Sequence, residues 1–242
     1  MSLKQHSLAN LSKGKLYNYM STDVQKFEFK PGSPTLSNIS IDIRGNQLVG
    51  IVGSVGSGKT SLMLAILDEL IILKGKIKIS ENISFQSQVP WIFPGTIRDN
   101  IIFNQLYDKE RFAKVTKATA LDYDLSLMRN GEFTFVGERG ISLSGGQRTR
   151  IALARAIYKQ SDIIIFDDPL AAVDSITSRQ LFKSCIRDFC SDRMVLLITN
   201  QMHILPKLDA IVVMKECFIM ITKPIFTSVI VKNLKNILLS DT

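Results

Sequence analysis

Ile39, Ile41 and Ile43 alternate with Ser40, Asp42 and Arg44, the period of a strand with one buried face. A compact apolar run at residues 47–52 predicts a second strand, joined to the first by a turn at Gly45-Asn46. That run ends in a glycine-rich stretch, and the period then changes. Over residues 60–70, Leu62, Ala65, Ile66 and Glu69 recur at helical spacing. Short strands are predicted at 76–79 and 83–85, and helices at 96–103, 108–120 and 145–158. DIIIFDD at 162–168 predicts a parallel strand, buried on both faces and ending in acid. A helix over 175–189 and strands at 194–199 and 210–214 complete an alternation that predicts an α/β core. Residues 1–30 and 217–242 do not extend it cleanly.

A chain of 242 residues, 45% hydrophobic and 21% charged, is enough for one sizeable core with appended segments. Its net charge of +8 is compatible with nucleic acid, an anionic membrane or a polyphosphate ligand. Lys and Arg are scattered among acids, with no basic helix face carrying stacking aromatics, so a nucleic-acid partner is not expected. Cys185, Cys190 and Cys217 lack paired C-x-x-C spacing and neighbouring histidines; reduced, buried thiols are expected rather than a zinc site or a disulfide framework. No N-terminal stretch has the apolar core and cleavage site of a signal peptide. The most membrane-like run, 217–231, is broken by Lys223 and Pro224 and falls short of the roughly 18–20 apolar residues of a spanning helix.

The glycine-rich stretch is Gly53, Ser54, Val55, Gly56, Ser57, Gly58, Lys59 and Thr60, followed by Ser61. It fits G-x-x-x-x-G-K-[ST], in which backbone N–H groups close around phosphates, the lysine reaches the β- and γ-phosphates, and the hydroxyl serves Mg²⁺. Strand, loop and helix come in the order such a site requires, and the helix N-terminus adds a favourable dipole. A glycine turn with an exposed lysine is the poorer reading. Asp167, closing the apolar run, is placed to hold Mg²⁺ beside the loop; without the loop it would read as a plain capping acid.

Leu143-Ser144-Gly145-Gly146-Gln147, followed some twenty residues later by the acidic strand, resembles the signature of ATP-binding cassette (ABC) proteins. Gln88 in SQVPW resembles the family's Q-loop glutamine, and PLAAVD ending at Asp174 its D-loop. PWIFPGTIRDNI, GERGISLSGGQRTRIALARAIY and DDPLAAVD are similar to the first nucleotide-binding domain of the multidrug-resistance-associated (C) subfamily of exporters. The resemblance implies a P-loop NTPase core of ABC type, with an antiparallel β subdomain and a helical subdomain bearing the signature. It also implies head-to-tail pairs of domains, each ATP lying between one P-loop and the partner's signature. Lys59, with Thr60, Gln88 and Asp167 at Mg²⁺, would serve the ATP bound here. Ser144, Gly145, Gly146 and Gln147 would reach the ATP on a partner; alone they are an exposed helix cap.

Two positions depart from the pattern of the family's strong hydrolases. The first, an aspartate after the magnesium ligand, is usual in first domains of the resembled subfamily, and the second, an asparagine, is a further departure. The family's stronger hydrolases carry glutamate after the magnesium aspartate, to orient the attacking water, whereas this chain has Asp168, one methylene shorter. A misplacement near 1 Å can cost about a hundredfold in rate. The family's switch histidine is replaced by Asn200, which cannot become cationic and is a weaker partner for developing phosphate charge. His203 is offset from that position. The expectation is a site that binds ATP tightly and cleaves it slowly, with an intact signature supporting turnover on a partner.

Three segments follow: 1–30, a core domain at 31–216, and a divergent apolar and basic tail at 217–242. Residues 6–28 resemble a cytoplasmic coupling segment of the exporters' membrane domain, and the membrane helices that follow it in the family are missing. The aromatic that stacks on adenine is Phe27, Phe29 or neither. After Met214, Lys215-Glu216-Cys217 stands where a two-residue hairpin ordinarily wants Gly or Asn. The chain therefore reads as a truncated, alternatively spliced or mis-assembled exporter relative, or as one with divergent ends.

The expected function is an ATPase powering export at the cytoplasmic face of a membrane, with a second nucleotide-binding domain and exporter transmembrane domains as partners. If the chain is truncated, it is expected to be soluble and unable to transport by itself. The rival is a non-hydrolysing ATP-binding regulatory or vestigial module. A soluble cassette ATPase of repair or translation is disfavoured by PWIFPGT and the coupling-like segment.

Overall fold

The computed structural model describes residues 36, 39–70, 77–79, 82–140, 142–215 and 218–224. Its main sheet has six strands: β1 (Leu48–Gly53), β2 (Ile83–Gln86), β5 (Ile163–Asp167), β6 (Met194–Ile198), β7 (Ala210–Lys215) and β8 (Phe218–Pro224). They lie in the order β2-β5-β6-β1-β7-β8, every neighbouring pair parallel except β7 and β8. Every residue of β1 is buried, as expected for a strand covered on both faces. Val49 and Ile51 point into one apolar layer with Leu62 and Met63, while Leu48 and Val52 point into the other with Ile164, Phe166, Val195 and Leu197. The two layers follow from the two-residue period of a strand.

The P-loop connects β1 to helix α1 (Lys59–Ile66). Beyond β2 come a second, two-stranded antiparallel sheet and four helices. That sheet pairs β3 (Gly95–Thr96) with β4 (Phe135–Val136), and the helices are α2 (Ile97–Ile102), α3 (Lys109–Ala118), α4 (Leu121–Leu127) and α5 (Gly145–Tyr158). Side-chain oxygens start three of them. Thr96 and Asp99 form a reciprocal capping box on α2, Asp108 accepts from Arg111 N on α3, and Ser144 pairs with Gln147 on α5. Helix α6 (Ser175–Leu181) continues as a π-helix over Phe182–Phe189.

The parallel sheet with helices, and the small antiparallel sheet beside it, give the α/β architecture expected. Helix α5 runs over the predicted residues, and β2, β5, β6 and β7 match within two residues. Differences lie at the margins. Ile39, Ile41 and Ile43 are half-buried, and Ser40, Asp42 and Arg44 exposed, but 39–44 joins no ladder among the described residues. Alternation records which face is covered, whereas a strand also needs a neighbour. Residues 77–79 likewise carry no strand. Helix α1 ends at Ile66, short of the predicted residue 70, and Asp68 two residues on takes a left-handed φ of 61°. Helix α4 was not predicted, and neither was β8, which pairs with β7 despite the absence of a glycine turn signal. Residues 1–35 and 225–242 lie outside the described residues, and with them Phe27, Phe29 and the coupling-like segment.

Cys185 and Cys190 are free and buried, and their mutual hydrogen bond together with burial holds the Cys185 thiol well above its ordinary range. Cys217 lies outside the described residues. Among the described residues no helix is long and apolar enough to cross a membrane.

Candidate functional site

The carboxyl ends of β1, β2, β5 and β6 bring together most of the residues singled out from the sequence. At Gly53, where β1 ends, any Cβ would overlap the Met214 carbonyl oxygen and Ser57 Oγ, so only glycine fits. Gly56 and Gly58 have left-handed φ values of 84° and 92°, which fold the loop back on itself and set Gly58 as the cap of α1. No side chain caps α1, leaving its first-turn N–H groups to whatever the loop surrounds. Ser54 O accepts from Ser57 N at 3.2 Å, and Val55 stands at the tip, fully exposed. Thr60 is half-buried, Ser61 is buried, and Ser57 Oγ is buried without a hydrogen-bond partner.

Lys59 arches over this loop, its Nζ donating to the carbonyl oxygens of Gly53 and Ser54 at 2.7 Å each. Burial lowers its pKa, and the negative charges of Asp167 and Asp168 oppose that shift. Asp167, the last residue of β5, is pushed up to about 6 by burial and by Asp168, with Lys59 pulling the other way. Asp168 is also raised by burial, against the pull of Lys59. Its backbone N donates to Ile198 O at 3.0 Å, and its φ of 44° lies in the left-handed region that aspartate tolerates better than most residues.

Strand β6 bridges the loop and the acids: Ile198 is in register with Asp167 on one side and Ile51 on the other. Asn200 lies exposed two residues past Ile198, and Gln88 lies exposed two residues past the end of β2. Both therefore sit at the same sheet edge as Lys59. Thr60, next to Lys59 in the chain, and Asp167, whose charge acts on Lys59, offer hard oxygen donors, and no group of three or more His, Cys, Asp or Glu forms a metal cage among the described residues. Such a donor set suits Mg²⁺, which keeps water and substrate phosphate among its ligands.

The signature stands apart. Among the described residues, no hydrogen bond or ion pair joins Ser144, Gly145, Gly146 or Gln147 to the P-loop. Ser144 N donates to Gln147 Oε1 at 3.0 Å, and Gln147 N donates to Ser144 Oγ at 3.1 Å. Val173, in the predicted D-loop, lies 3.8 Å from where a Gly146 Cβ would stand, so these two motifs are neighbours. Asp174 caps α6, accepting from Ile176 N and Thr177 N at 3.0 Å, and these bonds, the contact with Thr177 foremost, lower its pKa.

The sequence reading missed a second constellation. Arg155 is a half-buried cation that forms no salt bridge among the described residues. Its guanidinium donates to Asn100 O and Trp91 O at 2.7 Å and to Asn100 Oδ1 at 2.9 Å. It also lies 5.1 to 5.7 Å from the ring centres of Trp91, Phe93 and Phe103. Burial lowers its pKa to about 10, which leaves it charged at neutral pH. This cluster ties α5, the signature helix, to the segment that follows Gln88.

Comparison with known proteins adds the deciding observation: the sequence profile of the ABC transporter family matches residues 36–171. The chain belongs to the ABC transporter family. It is 44% identical over 192 residues to ABC transporter C family member 9 of Arabidopsis thaliana, and 45% identical over 192 residues to the putative ABC transporter C family member 15 of the same plant. Over 184 residues it is 44% identical to ATP-binding cassette sub-family C member 4 of Homo sapiens. The similarity to the C subfamily read from the sequence thus extends to individual ABC transporters. These alignments take in 76–78% of the chain but only 13%, 18% and 14% of the respective relatives, so the chain spans less than a fifth of each.

Proposed function

We propose that this chain carries the nucleotide-binding motor domain of a C-subfamily exporter, at residues 31–216, and that its own site holds Mg²⁺–ATP and hydrolyses it slowly. The observation that carries the reading is the convergence of Lys59, Asp167 and Asp168 around a loop whose backbone admits only glycine at Gly53. The loop amides and Lys59 bind the phosphates, exchanging the Gly53 and Ser54 carbonyls for β- and γ-phosphate oxygens. Thr60, Asp167 and Gln88 would hold the ion, which would supply positive charge beside the phosphates.

Water adds to the γ-phosphorus, the bridging oxygen leaves with ADP, and the water's protons pass to phosphate and solvent. Asp168 orients that water with a carboxylate one methylene short, and Asn200 donates a neutral hydrogen bond where a cation would be stronger. Both features support slow turnover. They also favour the second reading, a module that binds ATP without hydrolysing it. The signature, with Ser144 Oγ, the Gly145 and Gly146 amides and Gln147, serves ATP held by a partner nucleotide-binding domain. Transmembrane domains supply the path for the solute, and the assembly works at the cytoplasmic face of a membrane.

Fluorescent-ATP titration and steady-state phosphate release, each with and without a partner domain, test the proposal. Tight binding with turnover only in the pair supports the motor reading. Tight binding without turnover in either case leaves the non-hydrolysing module, and absence of binding that depends on Lys59 overturns both.

A further inference from the structure

One carboxylate outside every motif described above grips the signature. Asp124, in the middle of α4, is largely buried, as is its partner Arg150. Its Oδ1 accepts from Gln147 Nε2 at 3.1 Å, and its Oδ2 accepts from Arg150 Nε at 3.0 Å and Nη2 at 2.6 Å. Both donors belong to the first turns of α5. We propose that Asp124 is the positioning residue of the signature, acting through Gln147 and Arg150 on the ATP that a partner's P-loop brings to Ser144, Gly145 and Gly146; the inference rests on the paired-site reading above.

A glutamine amide can face either way, offering oxygen or nitrogen to the same neighbour. With Asp124, an acceptor only, on one side, Nε2 is committed to it and Oε1 turns to Ser144 N. That orientation completes the capping box, in which Ser144 Oγ accepts from Gln147 N. With an acceptor lone pair of Ser144 occupied from inside the helix, its hydroxyl proton is free to point outward to an incoming phosphate oxygen. The Gly145 and Gly146 amides, at the first two helical positions, are left to the same ligand. Arg150 provides a second brace. Its Nη1 lies 3.3 Å from where a Gly146 Cβ would stand, so the guanidinium that Asp124 holds also backs the glycine backbone. Asp124 touches no phosphate itself, and removing it frees Gln147 to rotate and Arg150 to leave Gly146.

A plain fastening of α4 to α5 would produce the same contacts, and chain-by-chain placement of the substitution separates the two roles. The full chain carrying Lys59→Ala is immobilised as bait, so nucleotide is retained only where a captured chain's P-loop meets the bait's signature. Labelled ATP and captured chain are then counted together. With Asp124→Ala on the bait, retention should fall roughly tenfold, the loss expected from one charge-assisted anchor. On the captured chain, whose signature faces the disabled Lys59→Ala loop, the same substitution should have no comparable effect. Asp124→Glu on the bait, which keeps a carboxylate, should recover part of the loss. Equal losses in the two placements, or none in either, would overturn the role of Asp124. If the unsubstituted chain is not retained with ATP at all, the paired-site reading fails and this inference with it.

Discussion

Lys59 Nζ lies 2.7 Å from the carbonyl oxygen of Gly53, the residue that ends β1, so the cation is parked on the loop it is placed to serve. Phosphate oxygens would replace two carbonyls without moving the loop. Lys59→Ala should therefore lower ATP affinity about a hundredfold while leaving the fold intact, measured by fluorescent-ATP titration beside circular dichroism. Lys59→Arg should not restore it, because a planar guanidinium does not fit a pocket shaped for a point charge.

Asp167 makes the nucleotide-free domain sensitive to pH. Its folded-state pKa of about 6 lies above the ordinary value of 3.8, so the folded chain keeps this proton longer than the unfolded one. Below about pH 4 both states are protonated and nothing is lost. Stability declines as pH rises towards 6, and above that the full cost is present. Asp167→Asn should then stabilise the nucleotide-free chain at pH 7.5 by on the order of 1 kcal/mol, after allowance for solvent screening, with little change at pH 4. Thermal unfolding at the two pH values checks it.

Asp168→Glu combined with Asn200→His should raise phosphate release in a partnered complex by roughly tenfold or more. A cost accompanies the gain. Asp168 sits at a φ of 44°, where glutamate is less at ease than aspartate, so the single change Asp168→Glu should lower stability by about 1 kcal/mol in urea unfolding. No rise in turnover from the pair of changes would overturn the account of slow hydrolysis.

Arg155→Met should destabilise the domain by about 3 kcal/mol, because it strips donors from Asn100 O, Trp91 O and Asn100 Oδ1 inside the protein. Arg155→Lys should recover only part of that, since one ammonium cannot span three acceptors and also lie flat against aromatic rings. Urea midpoints for both variants would decide it.

The parts of the fold legible in the sequence share a physical reason: each signal was local. The LVGIVG run, the helix of residues 145–158 and the Ile163–Phe166 run all carry their periodicity within themselves. Residues 39–44 show the limit of this, with correct alternation and no ladder beside it. The P-loop and signature were legible because their chemistry depends on consecutive backbone groups. Asp124 and Arg155 were not, because their partners lie 23 to 64 residues away, and no spacing rule connects an aspartate in one helix to a glutamine at the start of another. The sequence could have flagged Arg155 only as a charge in the otherwise apolar run of residues 151–158.

The strand order has a consequence for how the protein is made. Leu48 and Val49 leave the ribosome well ahead of their sheet neighbours Val195, Leu196 and Ala210. At synthesis rates of about 5–20 residues per second, the P-loop strand waits on the order of ten seconds, fully apolar and unpaired, before either neighbour exists. The strand that leads into the glycine-rich loop is thus, during translation, an exposed apolar segment that gains its place in the sheet only when the last third of the domain has been made.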